Sequence, residues 1–180
     1  MDPNQEPQGT IEAEYMDGKV IGESCELARE LYDKSRYGEP FQKKFQYSLV
    51  EALYLVERSK MKVFKGRKEI VFEELLKLAR KLENNFWTRY VAFKDMRNRG
   101  YIVKTALKFG ADFRIYDRGV KPGDDHAKWI MYPIAESETC SWYEFSATNR
   151  VAHSTKKRLL IAIVDDESDL VYYEVSWTRP

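Results

Sequence analysis

A chain of 180 residues, 43% hydrophobic and 33% charged, holds one large domain or two small ones and has the make-up of a folded, water-soluble protein. Its net charge of +1 excludes a bulk positive field, so any nucleic-acid contact must come from local patches. Two cysteines, Cys25 and Cys140, are too few for a disulfide framework and lack metal-ligand spacing. No apolar run approaches the roughly 20 residues of a membrane span, and the polar opening MDPNQEPQG is unlike a signal peptide. The expectation is a cytoplasmic chain without structural zinc.

Residues 1–9 read as a frayed tail. From Ile11 to Ile21 two short strands flank Asp17-Gly18, a hairpin turn signal. Glu26 to Lys34 reads as a helix capped by Ser24, followed by a loop through Gly38-Glu39-Pro40. Ser48 and Glu51 have the spacing of a capping box, and Leu49, Ala52, Leu53 and Val56 behind them keep helical spacing. Met61 to Phe64 and Glu69 to Val71 are short strands turned at Gly66. An amphipathic helix then carries Phe72, Leu75, Leu76, Ala79 and Leu82. Asn84-Asn85 interrupts the pattern and marks the expected domain boundary, with units over 1–84 and 85–180. The helix beyond it carries Phe86, Tyr90 and Phe93 and stops at Gly100.

The second half alternates differently. Tyr101 to Leu107 and Asp112 to Asp117 read as strands joined through Lys108-Phe109-Gly110, and Gly119 to Asp125 reads as a loop. Ala127 to Ile134 is a further strand. Ser141 and Glu144 form a second capping box, opening a helix that runs to about His153. Two last strands follow, Arg158 to Val164 and Leu170 to Trp177, the first with an unbroken LLIAIV run that suggests cover on both faces. The pattern predicts an α+β protein: a small N-terminal α/β domain, then a β-rich domain with a helix inserted between strands.

Three side chains in this half could carry chemistry. Tyr116 ends the strand before the Gly/Pro/Asp loop, His126 opens the strand after it, and Lys157 opens the LLIAIV strand. A hairpin would bring the first two to one rim of the sheet, where a phenol, an imidazole and an ammonium suit proton movement around a phosphate. They suit metal binding poorly. On spacing alone the bland reading stands beside this one: Tyr116 as a strand aromatic, Lys156-Lys157-Arg158 as a solubilising run, and Asp165, Asp166, Glu167 and Asp169 as a solvated turn. Phosphate-binding glycine loops, HExxH and CxxC pairs are absent. A metal-dependent nuclease would want clustered carboxylates, and Asp112 and Asp165 lack a neighbouring partner in the expected strand pattern.

Longer motifs add to this. FKDMRNRGYIVKTALKFGADFRIYDRG (residues 93–119) and NRVAHSTKKRLLIAIVD (residues 149–165) closely resemble the C-terminal domain signature of archaeal tRNA-splicing endonucleases, and YSLVEALYLVE (residues 47–57) resembles the same family's N-terminal domain. The resemblance runs from about Gln46 onward and is loose before it. It implies a nuclease-like C-terminal domain with a mixed sheet flanked by helices, and an enzyme that excises introns from precursor tRNA at a bulge-helix-bulge element. Cleavage in the family needs no metal or other cofactor and leaves a 2′,3′-cyclic phosphate and a 5′-hydroxyl.

The family's catalytic set falls on Tyr116, His126 and Lys157, with Lys157 rather than Lys156 in register. The resemblance further implies that Arg150 and Trp177, or Arg179 in place of Trp177, hold a bulge base. It implies that Asp165, Asp166, Glu167 and Asp169 form an acidic loop that docks on a neighbouring subunit, in a homotetramer built as a dimer of dimers through the last strands. The alternative within the family is a noncatalytic partner subunit.

Overall fold

The computed structural model describes residues 9–106, 112–123 and 125–178. The chain divides into two compact units, the first ending at Asn84 and the second beginning at Asn85, and together they make an α+β fold. The expected turn at Lys108-Phe109-Gly110 and the candidate Arg179 lie outside the described residues. Among those residues no helix is long and apolar enough to cross a membrane.

In the first unit, β1 (Ile11–Met16) and β2 (Lys19–Glu23) form the expected hairpin. Asp17 (φ 44°) and Gly18 (φ 83°) both take the left-handed conformation that a tight two-residue turn demands. Helix α1 (Glu26–Ser35) starts after Cys25, and no side chain caps it, so Ser24 does not play the expected role. The expected loop at Gly38-Glu39-Pro40 instead contributes β3 (Glu39–Phe41), paired with β4 (Lys44–Tyr47). Proline is tolerated in β3 because that strand lies at the sheet edge. All three of its residues are exposed, which left no alternation to read.

Helix α2 (Leu49–Glu57) has the predicted capping box, and its residues Leu49 to Leu55 are buried on every side. It is the core helix of this unit, packed on β5 (Met61–Lys65) and on α3 (Phe72–Leu82). With β6 (Lys68–Ile70) the sheet runs β3-β4-β2-β1-β5-β6, antiparallel except between β1 and β5. Gly22 is required on packing grounds: a Cβ there would come within 2.9 Å of both Ile11 and Tyr47.

The second unit opens with α4 (Phe86–Asn98). Gly100 (φ 87°) donates to the Arg97 carbonyl, and Tyr101 donates to that of Met96, closing the helix in the paired-bond C-cap that glycine favours. Strands β7 (Ile102–Thr105), β8 (Phe113–Tyr116), β9 (Trp129–Ala135), β10 (Arg158–Val164) and β11 (Leu170–Val175) form one sheet in the order β11-β10-β9-β8-β7. Only β9 and β10 are parallel, and α5 (Trp142–Ser154) is the crossover between them.

Helix α4 covers one sheet face, its Phe93 ring 5.8 Å from that of Phe113. On the other face Val151 of α5 packs against Ile130. Cover over β10 is uneven. Leu159, Leu160, Ala162 and Val164 are buried, whereas Ile161 and Ile163 are half-buried. Beside them Val171 and Tyr173 of β11 are exposed, so the LLIAIV run is not covered on both faces throughout. The last strand also stops at Val175, leaving Trp177 beyond it.

Candidate active site

Register brings the chain segments that carry the three candidate residues to one rim. Strand β8 runs antiparallel to β9, with Ile115 opposite Trp129, and β9 runs parallel to β10, with Trp129 opposite Arg158. The end of β8 and the starts of β9 and β10 therefore lie together. Tyr116 is the last residue of β8, His126 precedes β9 by three residues, and Lys157 precedes β10 by one. Side chains alternate along a strand and match across paired positions. Ile115, Trp129 and Arg158 thus share the α4 face, and Tyr116 and Arg114 point to the α5 face.

Tyr116 is only 5% exposed, its ring packed with Ile102 and Ala127 and flanked by Val120. His126 is exposed immediately before the buried Ala127, and its backbone N–H donates to the Asp125 carboxylate at 2.6 Å. Of the adjacent lysines, Lys156 is exposed with φ 55°, and Lys157 is half-buried. The Lys157 backbone N–H donates to the Ala152 carbonyl at the end of α5, and its Nζ donates to the Thr155 carbonyl at 2.8 Å. Burial, and secondly the positive charge of Arg114, push the Lys157 ammonium below the ordinary lysine range.

Neighbouring contacts fix the rim from the opposite face. Trp129 Nε1 and Arg158 both donate to Glu174 at 2.7 Å, tying β9, β10 and β11 together. These bonds, that of Trp129 foremost, hold the Glu174 carboxyl below its usual range. Lys128, the residue before β9, donates to Asp117 at 3.1 Å and sits over the Trp129 ring. Arg118 lies over Tyr101. Among the described residues no group of three or more His, Cys, Asp or Glu side chains gathers to hold a metal ion.

Trp177 follows β11 at this same rim and is 54% exposed. Its ring centroid lies 4.9 Å from that of His153 on α5, a histidine whose sequence context gave it no role. Arg150 is exposed one helical turn before His153 and so on the same side of α5. The acidic loop lies at the opposite end of the sheet, between β10 and β11. There the Asp165 carboxylate accepts from the backbone N–H groups of Glu167 and Asp169, so it is spent on the turn, and Asp166, Glu167 and Asp169 are exposed.

Sequence reasoning missed Arg114, Lys128 and His153. Arg114 carried a signal, since it stands two residues before Tyr116 and must share its face. The tilted contact of the His153 and Trp177 rings carried none, because the two are brought together only by packing.

Comparison with known proteins identifies the family. Residues 86–172 match the model for the catalytic C-terminal domain of tRNA intron endonucleases, and residues 11–76 match that for the N-terminal domain. The chain belongs to the tRNA intron endonuclease family, and it is an endonuclease. Its relatives include the tRNA-splicing endonucleases of Methanothermobacter thermautotrophicus, 42% identical over 94% of this chain and 99% of that protein, and of Thermococcus onnurineus, 41% identical over 94% and 97%. That of Nanoarchaeum equitans is 45% identical over 73% of this chain and 88% of its own length.

Proposed function

We propose that this endonuclease excises introns from precursor tRNA by cutting bulge-helix-bulge splice sites without a metal ion. The observation that supports the reading is that the end of β8 and the starts of β9 and β10, the segments that carry Tyr116, His126 and Lys157, meet at one rim of the unit that matches the family's catalytic domain. Tyr116 removes the proton from a ribose 2′-hydroxyl, whose oxygen forms a bond to the adjacent phosphorus. The bond from phosphorus to the 5′-oxygen breaks, and His126 delivers a proton to that leaving oxygen. The products are a 2′,3′-cyclic phosphate and a 5′-hydroxyl. Lys157 stabilises the negative charge that develops on the phosphorane oxygens. Its partial burial suits this role, because a cation acts more strongly where water is excluded.

Arg150 and Trp177 bind an unstacked bulge base, as RNA recognition by aromatic and guanidinium planes requires. Assembly is a homotetramer in the cytoplasm, a dimer of dimers. The exposed Val171 and Tyr173 on the edge strand β11 support pairing through the last strands, and the exposed acids of the 165–169 loop support docking on a neighbour.

The test is cleavage of a bulge-helix-bulge RNA by the purified protein in EDTA, with end-group analysis of the fragments. Full activity with cyclic phosphate ends is expected. Loss of cutting in chelator, or 3′-hydroxyl ends, would assign metal-dependent chemistry. Binding without cutting under either condition would make the chain a noncatalytic subunit.

A further inference from the structure

Charge is unevenly distributed along this chain. Residues 60–81 hold eight lysines and arginines against three glutamates, or +5, so the rest of the chain sums to −4 beneath a total of +1. The stretch is one continuous piece of the first unit: β5, the turn at Gly66, β6 and α3. Six of its eight cations gather at two places. Lys65, Arg67 and Lys68 are exposed at the tip of the β5–β6 hairpin. Lys77, Arg80 and Lys81 are exposed on α3, where with Glu73 and Leu76 they line a shallow groove.

The groove residues fall on one side of the helix, at positions i, i+3, i+4, i+7 and i+8 from Glu73. An ion pair between Lys68 and Glu74 ties the hairpin to the start of the helix. Cations in a last helical turn offset the helix dipole, which accounts for Arg80 and Lys81. It does not account for Lys77 or for the hairpin.

We propose that this surface of the first unit is a second RNA-binding site, which grips the phosphate backbone of the substrate. The inference rests on the precursor-tRNA reading above. A polyanion is favoured over the acidic loop of a neighbouring copy by number and reach. That loop offers three exposed carboxylates, its Asp165 being engaged in the turn, and a single five-residue turn is small for both the hairpin tip and the α3 stripe. A backbone of regularly spaced phosphates can follow both. Such contacts carry no sequence information but add affinity that falls with salt.

The experiment compares the full wild-type chain with K77E/R80E/K81E and, separately, K65E/R67E. RNA affinity is measured by fluorescence anisotropy between 50 and 200 mM salt, on a whole precursor tRNA and on a short RNA holding only the bulge-helix-bulge element. Unchanged circular dichroism and native mass confirm that each variant folds and assembles. The expected result for the α3 variant is about tenfold weaker binding of the whole precursor at low salt. The slope of log K against log salt should be shallower by about one unit for each phosphate that is no longer neutralised. Cleavage of the whole precursor should show a raised KM at unchanged kcat, with the short RNA affected much less.

Equal affinity and equal salt slope for wild type and both variants would overturn the proposal, leaving a solvated face. A variant that changes native mass while binding RNA normally would overturn it in favour of subunit docking. Because binding is read directly, it is separable from the cleavage reading: should the wild type bind the precursor through this patch yet cut nothing, the proposed function fails and the second site stands.

Discussion

At the residue scale the proposed chemistry depends on how three ordinary side chains are supported. His126 is exposed beside a buried alanine, so its ring can be removed without opening the core. His126→Ala is expected to slow single-turnover cleavage by at least about 10² while leaving RNA affinity nearly unchanged, and equal rates for the two proteins would discard its role as acid. Lys157 is more deeply supported. Burial disfavours its ammonium, and the positive Arg114 disfavours it further, so both push the pKa down. The side-chain resonance of Lys157, followed by NMR on lysine labelled at Nζ, should titrate below the ordinary lysine range. In Arg114→Gln it should move up but stay below that range, because burial remains. A Lys157 that titrates identically in both proteins would show that Arg114 exerts no effect.

Elements of this chain are fixed where local chemistry and packing agree. Helix α2 shows this most clearly. Ser48 Oγ donates to the Glu51 carboxylate at 2.8 Å and accepts the Glu51 backbone N–H, while the same carboxylate takes the Gly38 backbone N–H at 3.2 Å. One buried glutamate thus serves a helix start and a loop thirteen residues earlier. Ser48→Ala is expected to cost about 1–2 kcal/mol in chemical denaturation, and no loss would show that the box is incidental. Both capping boxes were legible because serine and glutamate three apart announce a helix start. Strand β3 was not, because it is three exposed residues around a proline. The cap of α1 was misread for a related reason: Ser24 is a good capping residue by type, but the chain enters the helix one residue later, at Cys25, without side-chain help.

For the whole molecule, assembly turns on the apolar side of β11. Helix α5 packs over β10, and beside it Val171 and Tyr173 remain exposed on an edge strand. A second copy paired there would bury them, and the acidic loop at the same end of the strand would then face a neighbour. Analytical ultracentrifugation of a variant with Asp165, Asp166, Glu167 and Asp169 changed to Asn or Gln should show a smaller species than wild type, and high salt should shift the wild type the same way. A mass unchanged by either treatment would count against the loop as an assembly device.

The sequence alone determined the order and kind of most elements, because alternation of period two and spacing of period 3.6 follow directly from which faces must be buried. It also singled out the candidate residues: Tyr116 and Lys157 lie in the long motifs, and His126 follows the Gly/Pro/Asp loop between them. Only the tertiary structure decided that these lie at or beside adjacent strand ends, that Arg114 is near enough for its charge to act on Lys157, and that the His153 ring meets that of Trp177. Those relations depend on strand order and register. Pairing between distant segments sets both, and no local window of the sequence contains it.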